Sequence, residues 1–343
     1  MDVGVWRRHG ARMDSAGPRS FLSLGIVSRL RLRVLVPLAG LLVVSGVALP
    51  DDAAASALVA RNTSSELLSV SRDGKALVTY RARGSLHRVF AWGAINARSP
   101  SETRRQVGFR MDYSGGWRTF GRGAWKTHEN VCGPYRGPAL PWVVAACTAP
   151  DGSHWALQRW QRSQANYGIP PWKPGHGAWE LRLSHWTGEA AKLEAWADWY
   201  YSGRWHHLFG RLTYRGRPVH GFSTTPNGEP LDSYGRVLYL DTLDSAYSPG
   251  WRRENAFVAR RPNGAFCYGF VPHRTHTGEL RPAAHGRRYR LAVSGPGVTP
   301  DVVWIGDGLP AFDPESSEHR AHEERMTALQ RVLFAGLDFS CRP

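Results

Sequence analysis

From residue 75 onward the chain alternates apolar and polar positions in short runs broken by turn residues. In 106–113, Val107, Phe109, Met111 and Tyr113 alternate with Gly108, Arg110 and Asp112, the period of two that puts one face of a strand in a core and the other in water. Residues 75–93 read as two strands around Gly84-Ser85, and 142–160 as two around Pro150-Asp151-Gly152. Pro226-Asn227-Gly228 and Pro262-Asn263-Gly264 supply similar reversals. Further runs at 178–186, 192–201, 207–214, 218–224, 235–243, 256–261, 265–271, 287–294 and 301–306 bring the expected strands to about a dozen. Residues 61–74 read as a short polar stretch, and 163–177 as a long Pro/Gly loop carrying Tyr167 and Trp172.

One segment has helical spacing. Asp313 offers a cap, Pro314 suits the first helical position, and Met326, Leu329 and Leu333 recur on one face up to Gly336. No stretch reads as a linker between domains. The expectation is a single all-β domain, an antiparallel β-sandwich of jelly-roll or lectin-like type with one C-terminal helix, the alternative being a closed β-barrel.

The N-terminus changes the setting of this domain. Arg29, Arg31 and Arg33 precede the apolar run 34–49, and small residues follow, so residues 1–57 read as an export signal cut, for example, after Ala57. The run falls short of the roughly 20 residues that span a bilayer, so no transmembrane anchor is expected after cleavage. The expected location is extracellular or cell-wall associated, with 58–343 as the mature domain. Cys132, Cys147, Cys267 and Cys341 all lie in that part, and an even cysteine count in an exported chain implies disulfides. The turn and strand between Cys132 and Cys147 favour that pair, leaving Cys267 to tie down Cys341. No CxxC spacing points to zinc.

Net charge is +16 for the chain, and residues 1–57 hold seven arginines against four aspartates, leaving about +13 for the rest. Only Lys75, Lys126, Lys173 and Lys192 among the basic residues are lysine, a bias that a GC-rich genome produces without any ligand. A basic exported protein is nonetheless drawn to anionic cell-wall polymers, acidic polysaccharide or lipid head groups. Nucleic acid is not an expected partner, because the arginines are scattered and form no basic helix.

Candidate chemistry concentrates in two places. If 193–201 is a strand, Glu194, Trp196, Asp198 and Tyr200 share a face; rings that stack on sugars beside carboxylates that accept hydroxyl hydrogens make that face a candidate carbohydrate platform. Trp172, Trp205 at a hairpin tip and Trp251 in 248–257 are further ligand-binding candidates, since loops on a rigid scaffold meet ligands. The second place is 239–257, where Asp241, Asp244 and Glu254 stand beside Arg252 and Arg253. Those carboxylates suit a catalytic edge, a calcium site or a salt-bridged anchor, the last favoured by the arginines. Were the protein a glycoside hydrolase or polysaccharide lyase, Asp241, Asp244, Glu254, Glu194 and His207 would be its catalytic candidates. Glu194 and Asp198 would stand roughly 13 Å apart along one strand, too far for a hydrolytic pair by themselves. His319 and His322 lack the HExxH spacing of a zinc protease, and no cofactor fingerprint is present. The leading expectation is a carbohydrate or envelope-polymer binder, with a glycan-active enzyme and a non-catalytic structural surface protein as alternatives.

Overall fold

The computed structural model describes residues 56–96, 107–162, 178–218, 223–224, 230–231, 237–256, 265–274, 278, 280–294 and 300–335. The first half runs through β1 (Ser56–Arg61), β2 (Ser64–Val70), β3 (Lys75–Ala82), β4 (Ser85–Gly93), β5 (Phe109–Asp112), the single turn α1 (Trp117–Phe120), β6 (Gly133–Pro134), β7 (Val143–Thr148), β8 (His154–Arg162) and β9 (Ala178–Trp186). The second half contains β10 (Lys192–Tyr200), β11 (Trp205–Tyr214), β12 (Arg217–Pro218), β13 (Ser223–Thr224), β14 (Pro230–Leu231), β15 (Val237–Ser245), β16 (Ser248–Ala256), β17 (Ala265–Gly269), β18 (His273–Arg274), β19 (Leu280–Arg281), β20 (Arg288–Ser294), β21 (Val302–Asp307) and α2 (Ser317–Leu333).

Four main antiparallel sheets stack with α2 into five layers. The first sheet is β2-β3-β4-β5, and the second is β1-β9-β8-β7-β6. The third runs β13-β14-β15-β20-β21 with β16 added on β15, and the fourth β10-β11-β12 with β17 added on β11. Among the described residues no sheet closes on itself, so the layers follow the sandwich expectation rather than the barrel.

Alternation along each strand decides which layer its side chains join. Trp155, Leu157, Leu181 and Leu183 of the second sheet pack with Val70, Val78, Val89 and Ala91 of the first. Trp160, an odd three residues beyond Leu157 on β8 and therefore on the opposite face, meets Tyr239 and Ala292 of the third sheet. Leu240, Leu291 and Val293 of the third sheet then pack with Ala195, Leu208 and Leu212 of the fourth. Finally, Phe209 and Trp196 of the fourth sheet meet Met326, Leu329 and Leu333 of α2.

The second sheet is therefore covered on both faces, and its polar residues need internal partners. Asp301, just before β21, provides them. Its carboxylate accepts Ser56 Oγ at 2.8 Å and Trp160 Nε1 at 2.9 Å, while its backbone exchanges two hydrogen bonds with the Gln158 amide at 2.9 Å each. Arg182 and Glu180 pair beside it at 2.8 Å.

Several expectations need correction in detail. The stretch read as polar holds the end of β1 and all of β2, an edge strand whose Leu67 faces solvent while Leu68 enters the core. The segment read as a loop around Trp251 is β16, paired with β15 through two register shifts that break its alternation. The helix is capped by Ser316, whose hydroxyl accepts the His319 N–H at 3.3 Å. Asp313 instead accepts the Glu315 N–H at 2.9 Å in the preceding turn. Cys132 and Cys147 are bridged. Cys267 is also disulfide-bonded and packs with Leu333 and Phe334 near the end of α2; Cys341 lies outside the described residues.

Candidate functional site

The face of β10 expected to meet sugar lies under α2. Trp196 stands opposite Phe209 and stacks on it with ring centres 5.7 Å apart. Asp198, opposite His207, is 0% exposed and accepts Gln330 Nε2 at 3.0 Å. His207 is 1% exposed and stacks on Phe209. Tyr200 meets the rings of Tyr201 and His207. Glu194 pairs with Lys192 and Arg211 at 2.7 and 2.8 Å. Burial resists its ionisation, and the hydrogen bonds from Lys192 and Arg211 outweigh that, holding the carboxyl below its ordinary range. Most of this face is core, because a helix that buries Met326, Leu329 and Leu333 needs an apolar floor.

The carboxylates of β15 are anchors. Asp241 is buried between Arg253 Nε and the Arg290 fork, the latter donating through Nε at 3.0 Å and Nη2 at 2.7 Å. Asp244 accepts the Gly250 N–H at 2.7 Å in the β15–β16 turn and pairs with Arg287 at 3.0 Å. Glu254 falls on β16, and its side chain is outside the described part, as is all of Trp172. Trp251 lies beneath the Arg290 guanidinium at 4.5 Å, and Trp205 is half-buried with Arg204 over its ring at 4.9 Å. Among the described residues no group of three or more His, Cys, Asp or Glu side chains converges as a metal site would require.

Open aromatic surface gathers instead at 113–131, between β5 and β6. Asp112 ends β5 and folds the loop back on itself. Its Oδ1 accepts the Ser114 N–H at 2.8 Å and its Oδ2 the Thr119 N–H at 3.2 Å. Gly115 and Gly116 turn through φ of +69° and +90°, a region that favours glycine. A Cβ on Gly116 would also lie 2.8 Å from the Phe90 ring. At the far end, Val131 N–H donates to Val70 O at 2.9 Å and Asn130 Oδ1 accepts the Val70 N–H at 2.9 Å. The Cys132–Cys147 bridge follows at once.

This frame holds rings at the surface. Trp117 is 64% exposed and Tyr113 58%, and they line a cleft of about 430 Å³ with Arg118. Phe120 leans edge-on against Phe90 and Trp92, with Lys75 Nζ 4.6 Å from its centre. Trp125 carries the Arg88 guanidinium at 3.7 Å. Phe120 also lines a second cleft of about 560 Å³, bordered by Ser71, Arg72, Asp73, Thr127, His128 and Glu129. Rings flanked by both donors and acceptors can stack on a sugar and bond its hydroxyls.

The alternation of 106–113 places Tyr113 on the apolar face of a strand, whereas β5 ends at Asp112 and Tyr113 is exposed. Trp117, Phe120 and Trp125 carry no sequence expectation, although Tyr113, Trp117, Phe120 and Trp125 are interleaved with glycines and basic residues in 113–126. A third cleft of about 410 Å³ lies beside His206 and His285. Those imidazoles stack 4.2 Å apart, and His206 Nδ1 bonds Tyr289 Oη at 2.8 Å. Burial first, and then the neighbouring His285, push His206 down to about 4.

Comparison with known proteins adds no relative: no family model matches the chain, and no curated protein or solved structure is significantly similar to it.

Proposed function

We propose that this is an exported protein that binds carbohydrate or another cell-envelope polymer through the loop 113–131. The observation that carries the reading is the pair of exposed rings, Tyr113 and Trp117, over a cleft on a loop fixed at both ends. Exposing two such rings forgoes burial worth about 1.5–3 kcal/mol for a large apolar side chain, and a ligand that stacks on them recovers part of it. Rigid presentation limits the ordering entropy lost on binding. The basic neighbours Arg88, Arg118, Arg122 and Lys126 add attraction to acidic polymers. Asp241, Asp244 and Glu194 are each ion-paired, which favours binding over hydrolysis.

Export belongs to the same proposal, with the cut placed before Ser56 rather than after Ala57. Ser56 opens β1 and its hydroxyl is buried against Asp301. The alanines at 53–55 offer small residues immediately upstream. N-terminal sequencing of the protein recovered from the culture medium or cell wall checks this placement.

The functional test is a sedimentation assay on insoluble polysaccharides and purified cell wall. Wild-type protein should pellet with at least one polymer, and Trp117→Ala should remain in the supernatant with an unchanged melting temperature.

A further inference from the structure

Arg253 lies between the second and third sheets at 2% exposure, its guanidinium 3.9 Å from the Tyr239 ring. Its Nε donates to Asp241 Oδ1. The other carboxylate oxygen is taken twice, by Nε and Nη2 of Arg290. Two guanidinium cations thus share one carboxylate, and the cluster holds an excess positive charge. Arginine stays protonated at any ordinary pH, so this excess cannot be relieved by losing a proton.

The excess is localised. Nη1 and Nη2 of Arg253 are both buried and have no hydrogen-bond acceptor among the described residues, which leaves four N–H donors lying in the guanidinium plane. Their fork is the arrangement that grips a planar oxyanion with two parallel hydrogen bonds, or a halide in the notch between the nitrogens. We propose that the Nη edge of Arg253 is a binding site for one small monovalent anion, which completes the charge balance between the sheets. The site is far along the chain from loop 113–131 and does not rest on the polymer-binding reading.

The test follows the melting temperature of the purified protein at constant ionic strength while sodium gluconate, too bulky for a buried site, is replaced by chloride, bromide or nitrate. The melting temperature should rise with at least one small anion. Once that anion exceeds its Kd, each further tenfold increase should raise the folding equilibrium constant about tenfold. Arg253→Met should abolish the response, since it leaves Asp241 paired one-to-one with Arg290. A response to nitrate alone identifies an oxyanion site, and a response to chloride and bromide a halide site. Should Arg253→Met fail to fold, crystals of the wild type soaked in whichever small anion raises the melting temperature decide, with density for that anion expected against Nη1 and Nη2. Equal melting in all four salts, the same response in Arg253→Met, or water alone at the Nη edge would overturn the proposal.

Discussion

Asp112 Oδ2 accepts the backbone N–H of Thr119 at 3.2 Å, seven residues on, and so closes the turn that carries Trp117. Burial of Asp112 opposes its ionisation, but the bonds from Ser114 and Thr119 prevail and hold the carboxyl below its ordinary range. A depressed carboxyl stabilises the fold fully above its unfolded pKa of about 3.9 and loses that contribution as pH falls through the lower folded value. Asp112→Ala removes the closure at every pH. Its polymer affinity should fall several-fold while β2–β5 stay folded, as hydrogen exchange at Ser114 and Thr119 against that at Val78 and Val89 would report.

Trp196 and Trp117 separate packing from binding. Trp196→Ala removes a ring wedged between Phe209 and α2 and should cost about 2–4 kcal/mol, since it is only partly buried. Polymer affinity should be retained. Trp117→Ala should do the reverse, within about 0.5 kcal/mol of wild type in stability. Urea denaturation and binding measured on the same two preparations check both halves.

The His206–His285 stack makes the fold sensitive to mild acid. With His206 at about 4 in the folded protein and about 6.5 unfolded, the unfolded chain takes up a proton first as pH falls. Stability is complete above about 6.5 and declines down to about 4, by on the order of 3 kcal/mol. Urea midpoints at pH 7.5 and 4.5 measure the decline. His206→Gln should flatten it, and an equally steep decline in that variant would rule out His206 as its source.

Around Asp241 the order of damage is also fixed. Asp241→Asn leaves the buried Arg253 and the partly buried Arg290 guanidinium without a counter-charge and should cost about 3–5 kcal/mol. Arg253→Met leaves the Asp241–Arg290 pair, two N–H donors on one carboxylate oxygen, intact and should cost clearly less. Equilibrium unfolding of the two variants in one buffer settles the ranking.

The sheets were legible because their strands obey a period of two. Phe109, Leu181 and Leu183 could be placed from alternation and turns alone. Covering was harder to see, because period two shows that Trp196 and Asp198 share a face but not what lies above it. The helix that covers them begins more than a hundred residues later. β16 escaped for a different reason: its register shifts interrupt the alternation. The arginines of 239–257 did point to a salt-bridged anchor, and Asp241 has that role. Loop 113–131 is legible only in retrospect. Its rings look like the core aromatics elsewhere until the glycine turns and the Asp112 closure show that Tyr113 and Trp117 point outward.

The most direct test of the binding loop is oxidative footprinting of every tryptophan, by mass spectrometry, with and without the polymer that sediments the protein. Trp117 should oxidise readily in the free protein and be protected several-fold by polymer, while Trp155, Trp186 and Trp196 react little in either state. Polymer that leaves Trp117 fully reactive, or that protects a distant tryptophan such as Trp251 instead, would contradict the assignment of the loop as the binding surface.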